Sequence, residues 1–433
     1  MSLMPMKKKI KPVKKIQGSI ILPGDKSISH RAVMISAIAN GTSNIKNFLK
    51  SEDCMATIDA FKKMGVPIEF NGDILVVRGA GLKKLNKPQS VIYLGNSGTS
   101  MRLLLGILAS QGFECVLSGD ESLSKRPMRR VTAPLRQMGA DIKGKDEANF
   151  APLTVRGKKL RAIDYISPVA SAQVKSSILF AGLHAEGVTS VTEPFKSRDH
   201  TERMLALFGA DISVDKLKVS IKRTKALHGS DMSIPGDISS GAFFIVAALL
   251  LKDSEITIRD VGFNDTRKGF IDILKRMGAR IEAKNMRGSW EPVCDLTVRS
   301  SKLKAAVIET SEVPRAIDEL PVLMAAAVFA KGRTVIKGAG ELRLKETDRI
   351  KSMLYNLNKM GAAVTCEGDD IIIEGTGDIH GAADLKSFGD HRTAMAITIA
   401  GLRASSESVI DDTGCINTSY PEFFDTLESV LNS

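Results

Sequence analysis

The sequence predicts an α/β protein of two domains, each built from three copies of a strand–helix–strand–helix–hairpin unit. Three observations point there. A segment of the form Leu-x-x-Met-Gly-Ala-x-Ile recurs along the 433 residues, as Phe61–Ile68, Leu135–Ile142, Leu205–Ile212, Leu274–Ile281 and Leu357–Val364. A loop rich in Gly, Ser, Asn or Asp opens an Ala-rich apolar stretch before each copy, and once more at Gly389. Pro23-Gly-Asp-Lys-Ser27 and Pro235-Gly-Asp-Ile-Ser239 nearly match at a spacing of 212 residues, which divides six units into two halves of three. Repeats at a fixed period mark one structural unit used many times.

Each element has a local reason. The repeated glycines, residues 65, 139, 209, 278 and 361, follow amphipathic stretches. Glycine there is a helix C-terminal signal, because it turns left-handed without a Cβ clash. Alternating apolar and polar residues around a turn follow, as in Pro67–Val77, and that period predicts a hairpin. The polar loops supply helix N-caps. The apolar stretches behind them predict core helices. The longest, Ala242–Leu251, ends at Lys252 and Asp253, well short of the ~20 residues of a membrane span.

The sixth unit lacks a hairpin, because a helix near Pro421–Val430 closes the chain. A strand around Lys9–Ile16 would cover the sheet edge left open there. The expected domains are therefore residues 21–236, and residues 1–20 joined to 237–433. The chain crosses between them near residues 20 and 236, and paired crossings suit a hinge.

Composition narrows the function. Hydrophobic residues at 43% and charged residues at 25% exclude a disordered or fibrous chain. The Met- and Lys-rich start has no apolar stretch behind it, so no secretory signal is expected. The charge is 61 − 49 = +12, with Lys7, Lys8, Lys9, Lys11, Lys14 and Lys15 clustered. Such a balance suits nucleic acid or anionic metabolites. One Trp and four Tyr offer few stacking platforms, which disfavours nucleic acid. The five cysteines show no CxxC and the six histidines no ligand spacing. The expectation is free thiols in the cytoplasm, with no metal and no cofactor. No P-loop, GxGxxG or Gly-x-Ser-x-Gly motif is present.

Four loops and the segments after them are rich in cations: Lys26, Ser27 and Arg31; Asn96 to Arg102 with Lys125-Arg126; Arg315 to Glu319 with Lys345 to Arg349; and Asp390-His391-Arg392. Capping alone accounts for Asp25, Asp237, Thr347 and Asp348. It does not account for Lys and Arg, which oppose the positive end of the helix dipole. An anionic ligand would neutralise them. Asp318 and Glu346 are then the available acid/base groups.

Leu22–Arg31, Leu94–Arg102, Leu344–Arg349 and Gly389–Arg392 resemble the signatures of the EPSP synthase family, the 3-phosphoshikimate 1-carboxyvinyltransferases, in order over nearly the whole chain. Ser171-Ala-Gln-Val-Lys175 and Ser197–Glu202 resemble its class II subgroup. The resemblance implies a two-domain inside-out α/β barrel of six βαβαββ repeats that closes on its substrates as a monomer. It implies transfer of the enolpyruvyl group of phosphoenolpyruvate to the 5-hydroxyl of shikimate 3-phosphate, with glyphosate as inhibitor. Carried over, Lys26 touches both substrates. Ser27, Arg31, Ser171, Ala172, Gln173, Arg198, Asp318 and Lys345 take shikimate 3-phosphate. Gly98, Arg126, Gln173, Arg349 and Arg392 take phosphoenolpyruvate. Asp318 accepts the hydroxyl proton, and Glu346 exchanges protons at the methylene carbon. Thr418 stands where some members carry a lysine. Gly98 has two readings: room for a ligand, or an unusual backbone dihedral.

The sister transferases acting on UDP-N-acetylglucosamine have Asn after the first-loop Lys and a loop Cys before an Arg-Pro. Here Ser27 follows Lys26, and Ser122–Lys125 holds no Cys. An RNA-binding or RNA-end-processing protein of related architecture is the other alternative.

Overall fold

The structure, a computed structural model, describes residues 6–431. The chain forms two compact units. A continuous unit spans Gly24–Ile234, and a split unit joins the residues up to Pro23 with those from Pro235 onward.

In the continuous unit, the second repeat shows the common plan. Strand Ile92–Tyr93 runs parallel to Glu114–Ser118, which pairs antiparallel with Phe150–Arg156, itself the partner of Asp141–Gly144. The parallel pair needs a crossover, and the buried Gly98–Leu108 helix supplies it. The third repeat in this unit and the fifth in the split unit keep the same order.

The first and fourth repeats keep this order but exchange their leading strands. Strand Gln17–Ile21 leads into the Lys26–Ala37 helix of the continuous unit, yet pairs in parallel with Glu255–Gly262 of the split unit. Strand Met232–Ser233 leads into the Ile238–Leu250 helix, yet pairs in parallel with Asn40–Lys46. The chain therefore leaves each unit between a strand and its helix, after Pro23 and after Ile234, close to the crossings expected near residues 20 and 236. Proline ends each ladder because it has no N–H to give. The N-terminal strand is also shorter than the expected Lys9–Ile16. Only Lys8–Ile10 pairs, antiparallel to Ser408–Ile410, before Pro12 interrupts.

Five glycines, residues 65, 139, 209, 278 and 361, lie in the left-handed region, with φ between +82° and +99°. Each follows a helix, and the hairpin of its repeat comes next. That backbone state is why the pattern repeats.

The crossover helices form the cores. Leu320–Val328 is wholly buried, as is Ile238–Leu250 apart from Leu250. These two pack against His391–Arg403 in the split unit. In the continuous unit, Gly106 lets Gly98–Leu108 approach Ala172–Gly182 backbone to backbone, since a Cβ there would lie 2.1 Å from the Ser177 carbonyl oxygen. Among the described residues, no helix is long and apolar enough to cross a membrane.

Candidate functional site

The continuous unit gathers nine of the expected residues on adjoining helix starts. Asp25 caps the Lys26 helix by accepting the Ile28 N–H at 2.9 Å. Lys26 Nζ lies 2.5 Å from Asp53 Oδ2. Arg31 is buried and donates to Thr201 Oγ1 at 2.6 Å, to the Ser27 carbonyl at 2.9 Å and to Ser176 Oγ at 2.9 Å. It thereby braces the first repeat against the third. Arg198 Nη1 donates to Ser27 Oγ at 3.3 Å.

Ser171 caps its helix by accepting the Val174 N–H at 3.4 Å, which places Ala172 and Gln173 in the first turn. Gln173 accepts from Arg102 Nη1 at 2.8 Å and donates to Thr99 Oγ1 at 3.0 Å. Arg126 donates to the Asn96 carbonyl at 3.2 Å and to the Asn96 side chain. Gly98 sits between these guanidinium groups. A Cβ on it would stand 2.9 Å from Arg102 Nη1 and 3.2 Å from Arg126 Nη1. Its φ lies outside the left-handed region, so the dihedral reading of Gly98 falls, and what borders the glycine is the two guanidinium groups.

Behind these loops runs a chain of hydroxyls. Ser97 Oγ is 2.7 Å from Ser100 Oγ, Ser100 is 2.6 Å from Thr57 Oγ1, and Thr57 is 2.7 Å from His30 Nδ1. Burial, with Lys26 and Arg31 nearby, holds His30 well below its usual pKa, so the ring is neutral. Sequence reasoning counted Arg102 among the cations of its loop without assigning it a substrate, and gave no role to Asp53 or His30. Asp53 lies in the first turn of the Glu52–Lys63 helix, and only the fold brings it to Lys26.

The split unit gathers the other five. Asp390 caps the His391 helix, accepting the Arg392 and Thr393 N–H groups at 2.7 and 3.1 Å. Asp348 caps the next cation-bearing helix, accepting the Lys351 N–H at 3.1 Å and leaving Arg349 in first position. Arg349 is 1% exposed. Its Nε meets Asp390 Oδ2 at 2.7 Å, its Nη2 meets Glu346 Oε2 at 2.5 Å, and its Nη1 meets Asp318 Oδ1 at 3.4 Å. Burial alone would lower its pKa. The carboxylates of Asp390, Glu346 and Asp318 outweigh burial and hold it above the ordinary arginine value.

Lys345 Nζ approaches Asp318 Oδ1 at 3.5 Å, and Arg392 Nη1 donates to the Asp318 carbonyl at 2.8 Å. The side chains of Asp318 and Glu346 keep 14% and 23% of their surface open. Two partly open carboxylates are anchored to one fixed cation, an arrangement able to serve proton transfer. Thr418 lies 3.4 Å from His391 Nδ1 and donates to the Cys415 carbonyl. Among the described residues, no three His, Cys, Asp or Glu side chains are placed to hold one metal ion.

Comparison with known proteins adds to this geometry. The family profile of EPSP synthase (3-phosphoshikimate 1-carboxyvinyltransferase) matches residues 10–427. The chain is 52% identical over 422 residues to 3-phosphoshikimate 1-carboxyvinyltransferase of Geobacter metallireducens, covering 97% of this chain and 98% of that protein. It is 50% identical over 425 residues to the enzyme of the same name from Desulforamulus reducens, covering 98% and 99%. A solved structure of EPSP synthase from Acinetobacter baumannii matches with a TM-score of 0.87 at 45% identity, over 98% of each chain. With family profile, full-length relatives and fold all agreeing, the chain belongs to the EPSP synthase family.

Proposed function

We propose that the chain transfers the enolpyruvyl group of phosphoenolpyruvate to the 5-hydroxyl of shikimate 3-phosphate, releasing phosphate, as a cytoplasmic step of aromatic amino-acid biosynthesis. The observation that carries this is the Asp318–Arg349–Glu346 arrangement, a pair of carboxylates on one cation, in a chain of this family. The five unpaired cysteines suit a reducing compartment.

In this reading C3 of phosphoenolpyruvate takes a proton and the 5-hydroxyl adds at C2. The tetrahedral intermediate then loses a C3 proton and phosphate. Asp318 removes the hydroxyl proton, and Glu346 gives and retrieves the proton at C3. Lys345, beside Asp318, supplies positive charge there. Shikimate 3-phosphate is held in the continuous unit by Lys26, Ser27, Arg31, Ser171, Ala172, Gln173 and Arg198. Phosphoenolpyruvate is held by Lys26, Gly98, Arg126, Gln173, Arg349 and Arg392, since Arg suits bidentate clamping of carboxylate and phosphate. For Arg349 this requires its longest bond, 3.4 Å to Asp318, to yield to the substrate. Glyphosate competes for the phosphoenolpyruvate site, supported by the narrow space over Gly98.

Phosphate release from phosphoenolpyruvate is the test. The reading expects release that depends on shikimate 3-phosphate. Release that depends instead on UDP-N-acetylglucosamine would overturn it.

A further inference from the structure

Beneath the start of the Ser171 helix lies a buried charged cluster that no step of the reaction uses. Lys175 stands one turn into that helix, Glu193 follows the Val188–Thr192 strand, and Glu202 belongs to the His200–Leu207 helix. They are 2%, 4% and 4% exposed. Lys175 Nζ lies 2.7 Å from Glu193 Oε2 and 2.8 Å from Glu202 Oε1. Burial would lower the lysine pKa. Glu202 and Glu193 outweigh it and raise the value, so the ammonium persists.

Glu193 also reaches two loops. Its Oε1 accepts the Ser171 N–H at 2.9 Å, and its Oε2 accepts the Ser197 hydroxyl at 2.9 Å. Ser171 opens the helix that carries Ala172 and Gln173. Ser197 precedes Arg198, which reaches Ser27 at 3.3 Å. One carboxylate therefore spans two segments assigned above to shikimate 3-phosphate. Three charges out of water are costly, and apolar side chains of similar volume would hold the helices together without that cost. What the apolar alternative lacks is direction: charge-assisted hydrogen bonds fix angle as well as distance. The helix dipole at Ser171 further favours a carboxylate at that end.

We propose that Glu193, clamped by Lys175, is a positioning residue for shikimate 3-phosphate: it sets the placement of Ser171 relative to Ser197–Arg198 and leaves the chemistry of phosphoenolpyruvate alone. This rests on the assignment of Ser171 and Arg198 to that substrate.

The test is steady-state kinetics of Glu193→Gln, Ser197→Ala and Arg198→Ala. Glu193→Gln leaves Lys175 paired with Glu202, so no buried charge is stranded. Ser197→Ala removes a single tether and keeps the ionic cluster whole. The expected result for Glu193→Gln is a KM for shikimate 3-phosphate raised about tenfold, as for one lost charge-assisted hydrogen bond. Its kcat and its KM for phosphoenolpyruvate should stay within about twofold. Ser197→Ala should show the same split at about threefold. A merely structural role would lower the melting temperature and active fraction while leaving both KM values unchanged. That result, or equal rises in both KM values, would overturn the proposal. If Arg198→Ala raises the KM for shikimate 3-phosphate and neither Glu193→Gln nor Ser197→Ala does, positioning fails while the substrate assignment survives. If Arg198→Ala also leaves that KM unchanged, both fail together.

Discussion

The two units orient their cations by different means. In the continuous unit, Arg31, Arg102, Arg126 and Arg198 donate to hydroxyls, amides and carbonyls, while Lys26 pairs with Asp53. In the split unit, Arg349 rests on three carboxylates, and Lys345 approaches one of them. Neutral acceptors fix a guanidinium without cancelling its charge, which suits the capture of a phosphate. Carboxylates fix and neutralise at once, and are themselves the groups that move protons. In the proposed reading the same repeat yields an anion-holding half and a proton-transferring half, according to the partners its helix starts acquire.

The largest effect expected from this contrast is in acid. Two histidines with depressed pKa values, His30 and His184, lie in the continuous unit. Burial, with Lys83 and Arg223 adding, holds His184 at about 4 against an ordinary 6.5. In the unfolded chain each ring takes up a proton near pH 6.5, which the buried ring refuses. Folded stability is therefore lost as pH falls below about 6.5. For His184 the loss reaches roughly 3 kcal/mol by pH 4. Hydrogen exchange at pH 7 and pH 5 should show protection falling further in the continuous unit than in the split unit. Equal losses would break the contrast.

Next come the carboxylates. Asp318→Asn and Glu346→Gln should each lower kcat by ~10²-fold or more while KM changes little, because proton transfer is lost and binding is kept. Normal turnover in either variant would remove that residue from its role.

A smaller effect is expected at Gly98. A methyl group there meets Arg102 Nη1 and Arg126 Nη1 at 2.9 and 3.2 Å. Those are the ends of long side chains, so the site can adjust at a cost of about 1–3 kcal/mol. Gly98→Ala should weaken glyphosate more than phosphoenolpyruvate, measured as the inhibition constant against KM. Equal shifts would mean that the space over Gly98 does not distinguish the two.

Much of the fold was legible because its signals are local. A glycine that ends a helix must turn left-handed, and five did so at the repeated motif. The exchange at Pro23 and Ile234 was legible as two crossings near residues 20 and 236, but not as strand pairing. Alternation marks a strand as a strand but does not say which strand it pairs with, so the ladders of Gln17–Ile21 with Glu255–Gly262 and of Met232–Ser233 with Asn40–Lys46 needed the structure. At the candidate site the cations were visible as charges out of place at helix starts. Their partners were not: Asp53 reads as a first-turn acid, Lys175 as a residue of an apolar helix, and Glu193 as a loop residue 18 positions further on. The reason for Gly98 could not be decided without the two guanidinium groups that crowd it.

The division of labour between the units is tested most directly by calorimetric titration of shikimate 3-phosphate into three proteins: the unaltered chain, Arg198→Ala and Glu346→Gln. The account predicts that Arg198→Ala weakens binding by about tenfold or more, as for a lost hydrogen bond to a charged group. It predicts that Glu346→Gln binds like the unaltered chain while turning over ~10²-fold more slowly. Weakened binding in Glu346→Gln together with unchanged binding in Arg198→Ala would contradict it.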